Sequence, residues 1–224
     1  MQIFISFYIL LVSFSLLLTS RQRKVSSKVF ILLSLLLFIF YTIVIGLRDF
    51  DMQGDTRNYL AMFHQAENDF SGLISSRIEY GFVLLLKGLS LIDLSERQFI
   101  FSVAVLQSCL WFVALKKYFT KPVFLLLSTL IFISMFFFYN LGSNVLRQGL
   151  AMPFLILAMH YLFKGHKFRF VAMSVLSFLF HKTTLGIILI MYIVFSLKIK
   201  TTTWLAILAL TTLFSITNTN RIKH

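Results

Sequence analysis

Charged residues, proline and cysteine are all scarce in this 224-residue sequence. Charged side chains make up 13% of it, proline occurs twice, and Cys109 is the only cysteine. Soluble domains carry roughly a quarter charged residues, so this composition excludes an ordinary water-soluble domain. A disordered chain is excluded as well, because disorder requires few aromatic residues and high charge. With one cysteine the chain cannot form an internal disulfide.

Apolar and basic residues are abundant instead. Apolar residues account for 58% of the sequence, phenylalanine occurs 27 times, and the 21 Lys and Arg residues outnumber the 8 Asp and Glu residues, for a net charge of +13. In a soluble protein such a balance points to nucleic acid. Here the basic residues lie in short gaps between apolar runs, as cytoplasmic loops of membrane proteins do. We therefore expect a lipid bilayer as partner and no nucleic acid.

The apolar runs predict an all-α, polytopic membrane bundle of about eight spans, since a spanning helix needs about 20 apolar residues. The eight runs cover residues 3–19, 29–47, 98–115, 122–139, 149–163, 170–180, 185–197 and 203–217. A ninth run, 80–92, is short and contains Lys87, which is typical of a re-entrant or interfacial segment. We expect one membrane domain over residues 1–224.

The charges between the runs predict which side each loop faces. The basic cluster 21–28 should be cytoplasmic, which puts the N-terminus outside. If 80–92 does not cross the membrane, the later Lys and Arg clusters also fall inside, as the positive-inside rule favours. The external segments are then the polar loop 48–79 and the short stretches 140–148 and 181–184.

Arg147 is an unusual polar residue because it stands at the mouth of an apolar run. Asn144, Arg147, Gln148 and Ala151 are spaced i, i+3, i+4 and i+7, which predicts that they share one helical face. Ionisable groups at hydrocarbon depth are costly and are by default candidates for function. The alternative is an interfacial arginine that reaches lipid headgroups.

The other candidate residues also lie in the segments expected outside. Asp55 is placed to cap a helix beginning at Thr56, with Tyr59 and Phe63 along the same face. Glu79 precedes the 80–92 run and is either a cap or a site residue.

His181 ends another run, and the alternative reading is a helix-end histidine bonded to a carbonyl. Arg48 and Arg147 suit phosphate oxygens, while a carboxylate or His181 suits proton transfer to or from a sugar hydroxyl. No His, Cys or acidic spacing predicts a metal site, and we expect no cofactor.

Four short motifs resemble a known family, the EpsG-like branch of the Wzy polysaccharide polymerases. They are Gly54-Asp55-Thr56-x-x-Tyr59, Glu79-x-Gly81-Phe82, Asn144-x-x-Arg147-Gln148-x-x-Ala151 and Phe180-His181-x-Thr183. The resemblance extends from about residue 40 to 195.

The resemblance implies a multi-pass enzyme of the bacterial inner membrane, with its active face periplasmic or outer. It would join undecaprenyl-diphosphate-linked oligosaccharides into O-antigen, capsule or exopolysaccharide, with a flippase and a chain-length regulator as further partners.

The implied catalytic residues are Arg147 on the diphosphate, His181 on the diphosphate or acceptor, and Asp55 or Glu79 as base. Substrate-binding roles are implied for Arg48, Tyr59, Asn144, Gln148 and Thr183.

The sequence also allows other interpretations. Family members usually continue with further spans, so this chain is expected to be C-terminally truncated, and an inactive truncated polymerase is one alternative. A transporter or flippase for a lipid-linked glycan is another, although only one broken segment is visible where transporters often show pairs. An O-antigen ligase would share the donor and differ in its acceptor.

Overall fold

A computed structural model describes residues 26–50, 55–75 and 78–197, together with Ser13, and within them it contains helices and no strands. The predicted all-α class is therefore confirmed. The helices of this part of the chain are α1 Ser27–Gly46, α2 Thr56–Asn68, α3 Phe70–Ser75, α4 Tyr80–Ser90, α5 Glu96–Tyr118, α6 Pro122–Ser134, α7 Phe136–Ser143, α8 Leu146–Phe163, α9 Lys167–Phe180 and α10 Thr184–Leu197. The chain forms two compact units, Met1–Leu185 and Gly186–His224, and apart from α10 the elements below belong to the first.

The expected count of about eight spans is not confirmed. Within the described ranges, α1, α5 and α8 are long and apolar enough to cross a membrane, and α6 with α7 makes a fourth span if that bent pair crosses as one. The helix α9 has 14 residues, or about 21 Å, against a hydrocarbon core of about 30 Å, and the 14 described residues of α10 extend to the last residue of the described range. Apart from Ser13, the predicted runs 3–19 and 203–217 lie outside the described residues.

The run 122–139, predicted as one span, is broken near its end. Its first helix starts with Pro122 in the first turn, as predicted, and ends at Ser134. The Ser134 hydroxyl donates to the carbonyl of Leu130, a side-chain bond that favours bending, and Met135 is extended before α7 begins. The axes of α6 and α7 differ by 73°.

The segment 48–79, expected as an external polar loop, contains the helices α2 and α3. One face of α2 is apolar and packs against α4 and α5 in a cluster that includes Leu60, Phe63, Phe82 and Phe99. Stacking of the Phe63 and Phe99 rings, 4.4 Å apart, fixes α2 beside the start of α5. This cluster also contains Leu146 from the first turn of α8, so the apolar face of α2 and the start of α8 share one core.

The helices α8 and α9 are antiparallel neighbours, and one hydrogen bond sets their register. The buried Ser177 hydroxyl donates to the carbonyl of Ala151 at 3.0 Å. Arg147 lies four residues before Ala151 in α8, and His181 lies four residues after Ser177, at the end of α9. The register therefore brings the end of α9 level with the start of α8.

Candidate active site

Glu79 is the centre of a cluster formed by residues from distant parts of the chain. Arg147 donates from Nη1 to Glu79 Oε2 at 2.5 Å. The other carboxylate oxygen, Oε1, accepts from the backbone N–H of Lys182 at 3.4 Å and lies 3.5 Å from Nδ1 of His181. Three of the residues predicted as catalytic are thus in contact, although their catalytic roles stay predictions.

Gly81 allows Glu79 to reach the end of α9. A Cβ atom on Gly81 would lie 2.8 Å from the carbonyl oxygen of Leu179, a distance that real side chains do not adopt. Glycine is therefore the residue that lets the first turn of α4 lie directly against the last turn of α9. Glu79 is the N-cap residue of α4, and its side chain makes no capping bond, so it points to Arg147 and His181 instead.

The surroundings of Glu79 keep its carboxylate ionised. The residue is 7% exposed, and this burial by itself raises its pKa. Its own backbone N–H, the charged Arg147 and the N–H of Lys182 together outweigh burial and lower the pKa below its ordinary value. A carboxylate that is charged and already accepts these hydrogen bonds is a weak base.

His181 is held in its neutral form by the same surroundings. Burial lowers the pKa of the His181 ring, and the nearby Arg147 and Lys182 charges lower it further, against an opposing effect of Glu79. Its Nδ1 is buried and has no hydrogen-bond partner among the described residues, since 3.5 Å from Glu79 is too long for a well-formed bond. A tautomer with the proton on Nδ1, facing the carboxylate, leaves Nε2 as a proton acceptor.

A polar cavity of about 330 Å³ opens beside this cluster. Tyr59, which is 3% exposed, contributes to its wall and hydrogen-bonds through its side chain to Arg147. Burial raises the pKa of Tyr59 despite the neighbouring arginine, so its hydroxyl remains protonated and available as a donor. The cavity is lined by Asp55, Asn58, Tyr59, Ala61, Met62, Gln65 and Arg147.

Arg48, predicted to bind substrate, contacts the protein backbone. It is 6% exposed, and it donates to the carbonyls of Ile45 and Ser143 and to the Thr56 hydroxyl. Burial lowers its pKa to about 10, well above neutrality, so the charge persists. These contacts join the end of α1 to the start of α2 and the end of α7, and the substrate-binding role stays a prediction.

The shared face predicted for Asn144, Arg147, Gln148 and Ala151 is wrong for Asn144. Helix α7 ends at Ser143 and α8 begins at Leu146, so Asn144 lies in the break between them. Its side-chain amide donates to the Asn140 side chain at 2.8 Å. Asn144 therefore closes α7 instead of continuing the Arg147 face.

The remaining predicted residues lie around the cluster. Gln148 follows Arg147 in the first turn of α8 and is half-buried, while Thr183 is exposed in the turn after α9. Asp55 precedes α2 as predicted, but it makes no capping bond and accepts instead from the Asn58 amide at 3.2 Å.

Besides Ala61, three cavity residues, Asn58, Met62 and Gln65, were not predicted from the sequence. Together with Asp55 they repeat every three or four positions along α2, a pattern that is visible in the sequence once the helix is known. Phe63, predicted on one face with Asp55 and Tyr59, does not line the cavity; it is fully buried and lies in one core cluster with Tyr59.

The helices and the site define a membrane protein in which the buried Glu79 contacts Arg147 and His181, and Arg147 lines a polar cavity. Within the described ranges, no three His, Cys, Asp or Glu side chains are grouped so that they could hold a metal ion. Arginine, neutral histidine and amide groups beside a membrane suit an anionic, hydroxyl-rich ligand.

Comparison with known families identifies the chain more closely. The model of the EpsG family matches residues 31–223, and the chain therefore belongs to the EpsG family. The family indicates a membrane protein of the polysaccharide-polymerase type, in agreement with the resemblance carried by the motifs. No curated protein and no solved structure matches the chain.

Proposed function

We propose that this protein polymerises oligosaccharide repeat units that are carried on a lipid diphosphate, such as undecaprenyl diphosphate. The observation that carries the proposal is the contact of Arg147 and His181 with the same carboxylate, Glu79, beside a polar cavity. Family membership supports a polymerase, and the site contains a group suited to each charge that the reaction develops.

The reaction breaks the bond between the anomeric carbon of the growing glycan and its diphosphate oxygen. A hydroxyl of the next lipid-linked unit bonds to that carbon and loses its proton, and the lipid diphosphate leaves with the electron pair. Catalysis then requires a cation where the diphosphate charge develops and a base near the acceptor hydroxyl.

Arg147 is the cation in this proposal. The Arg147 side chain is 30% exposed and lines the cavity, and Glu79 and Tyr59 hold its orientation. A planar guanidinium binds two oxygens of one phosphate at once, which a lysine ammonium does not. Its position in the first turn of α8 adds the positive end of a helix dipole.

His181 is the base in this proposal, and Glu79 orients it. The lowered pKa of His181 keeps the ring neutral near pH 7, whereas both oxygens of Glu79 already face donors. Nε2 of His181 would take the acceptor proton while Nδ1 faces the carboxylate, as in other carboxylate–histidine pairs. Asp55 in the cavity wall is the alternative base.

The site belongs on the outer face of the bacterial inner membrane in this proposal. Lys116 and Lys117 lie in the last turn of α5, and Lys164 and Lys167 follow the end of α8, whereas Arg147 lies at the start of α8. The positive-inside rule favours the cytoplasm for these lysines and therefore the opposite side for the site. A flippase that delivers the lipid-linked units and a chain-length regulator are the protein partners in this proposal.

Replacing Arg147 by lysine tests the proposal. In a strain lacking its own copy, Arg147→Lys should lower polymerisation by about 10²-fold, the effect of removing one transition-state donor, and leave single repeat units at the surface. Arg169→Lys is the matched control, since Arg169 is exposed at the opposite end of α9. Ladders of normal length in Arg147→Lys would exclude Arg147 from the chemistry. Complete loss of surface repeat units on gene deletion would indicate a flippase instead.

A further inference from the structure

The cavity beside Arg147 is lined almost entirely by one helix, α2. Six of its seven lining residues come from α2 or its N-cap, and the seventh is Arg147 itself. The polar members Asp55, Asn58 and Gln65 lie three and seven positions apart along the helix, so they form one stripe. A ligand that contacts Arg147 in this cavity therefore makes most of its other contacts with one face of α2.

The chemistry of this face matches a sugar ring. The Asn58 amide donates to the Asp55 carboxylate at 3.2 Å, which makes the two side chains one hydrogen-bonding unit, and Gln65 adds a second amide two turns along. Amides both donate and accept, as the hydroxyls of a sugar do. Ala61 and Met62 supply apolar contact for the C–H face of a ring, and a cavity of about 330 Å³ is within the usual size of ligand sites.

The position of Arg147 decides which sugar lies in the cavity. In the proposed function Arg147 binds the diphosphate of the donor, and the ring attached to that diphosphate is adjacent to it. We propose that the cavity face of α2 binds this first sugar, and that Asn58 and Gln65 discriminate among donors by the hydroxyl pattern of that ring. The inference rests on the proposed function and extends it to donor specificity.

Hydrogen-bonded recognition predicts discrimination among sugars, because a ring that lacks a matching hydroxyl makes one hydrogen bond fewer with Asn58 or Gln65. One lost hydrogen bond corresponds to roughly 2- to 12-fold in affinity. Truncation of either amide should therefore flatten the preference among sugars, while the affinity for the diphosphate should not change.

The experiment measures binding to the full-length protein in nanodiscs. The probes are a short polyprenyl diphosphate without sugar and the same carrier bearing one hexose, one N-acetylhexosamine or one 6-deoxyhexose. The wild type should bind its preferred sugar carrier at least roughly tenfold more tightly than the weakest one. Asn58→Ala and Gln65→Ala should each reduce this spread by about threefold or more and leave the sugar-free carrier unaffected.

Asn68→Ala is the matched control, because Asn68 is an exposed amide on the same helix that is bonded to the His64 carbonyl and does not line the cavity. It should keep the wild-type spread. Unchanged binding of the sugar-free carrier shows that each variant is folded.

An unchanged spread in both amide variants, or a wild type that does not distinguish the sugars, would overturn the specificity role and leave the proposed function in place. A wild type that binds none of the four carriers would overturn the proposed function, and this inference with it.

Discussion

Glu79 shows at the scale of single residues how one carboxylate organises a site. It is 7% exposed, and its two oxygens face Arg147, the Lys182 backbone N–H and the His181 ring. The carboxylate offsets the arginine charge, which would be costly without a partner at this burial. In the proposed mechanism it also favours the His181 tautomer with the proton on Nδ1, so one residue serves both the proposed cation and the proposed base.

The pH dependence of polymerisation tests this arrangement. The neutral His181 ring is the active form of a base, so activity should be lost as pH falls through the pKa of His181. Because burial, Arg147 and Lys182 lower that pKa, the midpoint should lie below pH 6.5, and activity should be constant around neutrality. Glu79→Gln removes the charge that opposes the shift, so its midpoint should lie lower still. The measurement is the initial rate against pH with purified protein.

His64→Gln is the control for this profile. His64 is exposed, lies between Glu67 and Glu96, and has a pKa raised above its ordinary value by hydrogen bonds to them. Its removal should leave the midpoint unchanged. If His181→Gln lowered the rate equally at every pH and left the shape of the profile unchanged, the base would be another group, with Asp55 as the first candidate.

At the scale of elements, the close approach of α4 to α9 decides whether the site forms. Gly81 faces the Leu179 carbonyl, and Phe82 next to it is fully buried in the core shared by α2, α4 and α5. The Glu79-x-Gly81-Phe82 motif thus has a separable physical meaning at each position. The acid supplies the site, the glycine supplies the clearance, and the phenylalanine anchors the helix.

Substitution of Gly81 tests the clearance. In Gly81→Ala the new methyl group would displace α4 from α9, moving Glu79 away from His181. We expect polymerisation to fall by about tenfold or more, since small misplacements in active sites have large effects on rate. The assay is the same polymerisation rate, with helix content checked by circular dichroism.

Gly88→Ala is the matched control on the same helix. No atom lies within 4 Å of a Cβ at Gly88, and alanine favours a helix interior by roughly 0.5–1 kcal/mol over glycine. This variant should keep its activity and melt at an equal or higher temperature. Full activity in Gly81→Ala would show that the α4–α9 contact does not position the site.

At the scale of the whole molecule, the described helices carry their charges at consistent ends. Glu96 opens α5, and Lys116 and Lys117 close it, an arrangement that suits both the helix dipole and an outside-to-inside crossing. The antiparallel α8 and α9 then return the chain to the end where the site lies. One membrane domain with an external site remains a prediction from these charges.

Cysteine labelling tests the sidedness. In a Cys109→Ser background, Asn68→Cys on the exposed side of α2 should react with a membrane-impermeant maleimide in intact cells. Lys164→Cys, exposed at the end of α8, should react only after permeabilisation. The reverse pattern would place the site in the cytoplasm and exclude periplasmic polymerisation.

Much of the helical structure was predictable, because a long run of apolar residues indicates a membrane helix whatever the rest of the chain does. The ends of the runs 29–47, 98–115 and 149–163 differ by at most three residues from the ends of α1, α5 and α8. The break at Met135 was missed, and the run 170–180 was counted as a span although its helix α9 has 14 residues, since a run of apolar residues does not reveal where a helix bends or whether it crosses. For the same reason Asn144 was placed on a helix that begins two residues after it.

The sequence by itself determined the all-helical membrane class, the helix starts at Thr56 and Pro122, and the residue types from which a site could be built. Only the tertiary structure decided that Glu79, Arg147 and His181 meet, and that α2 forms the cavity wall. Hydropathy and capping act within a few residues of one helix. Contacts across 68 or more positions depend on the register and close packing of several helices, and no local pattern records these.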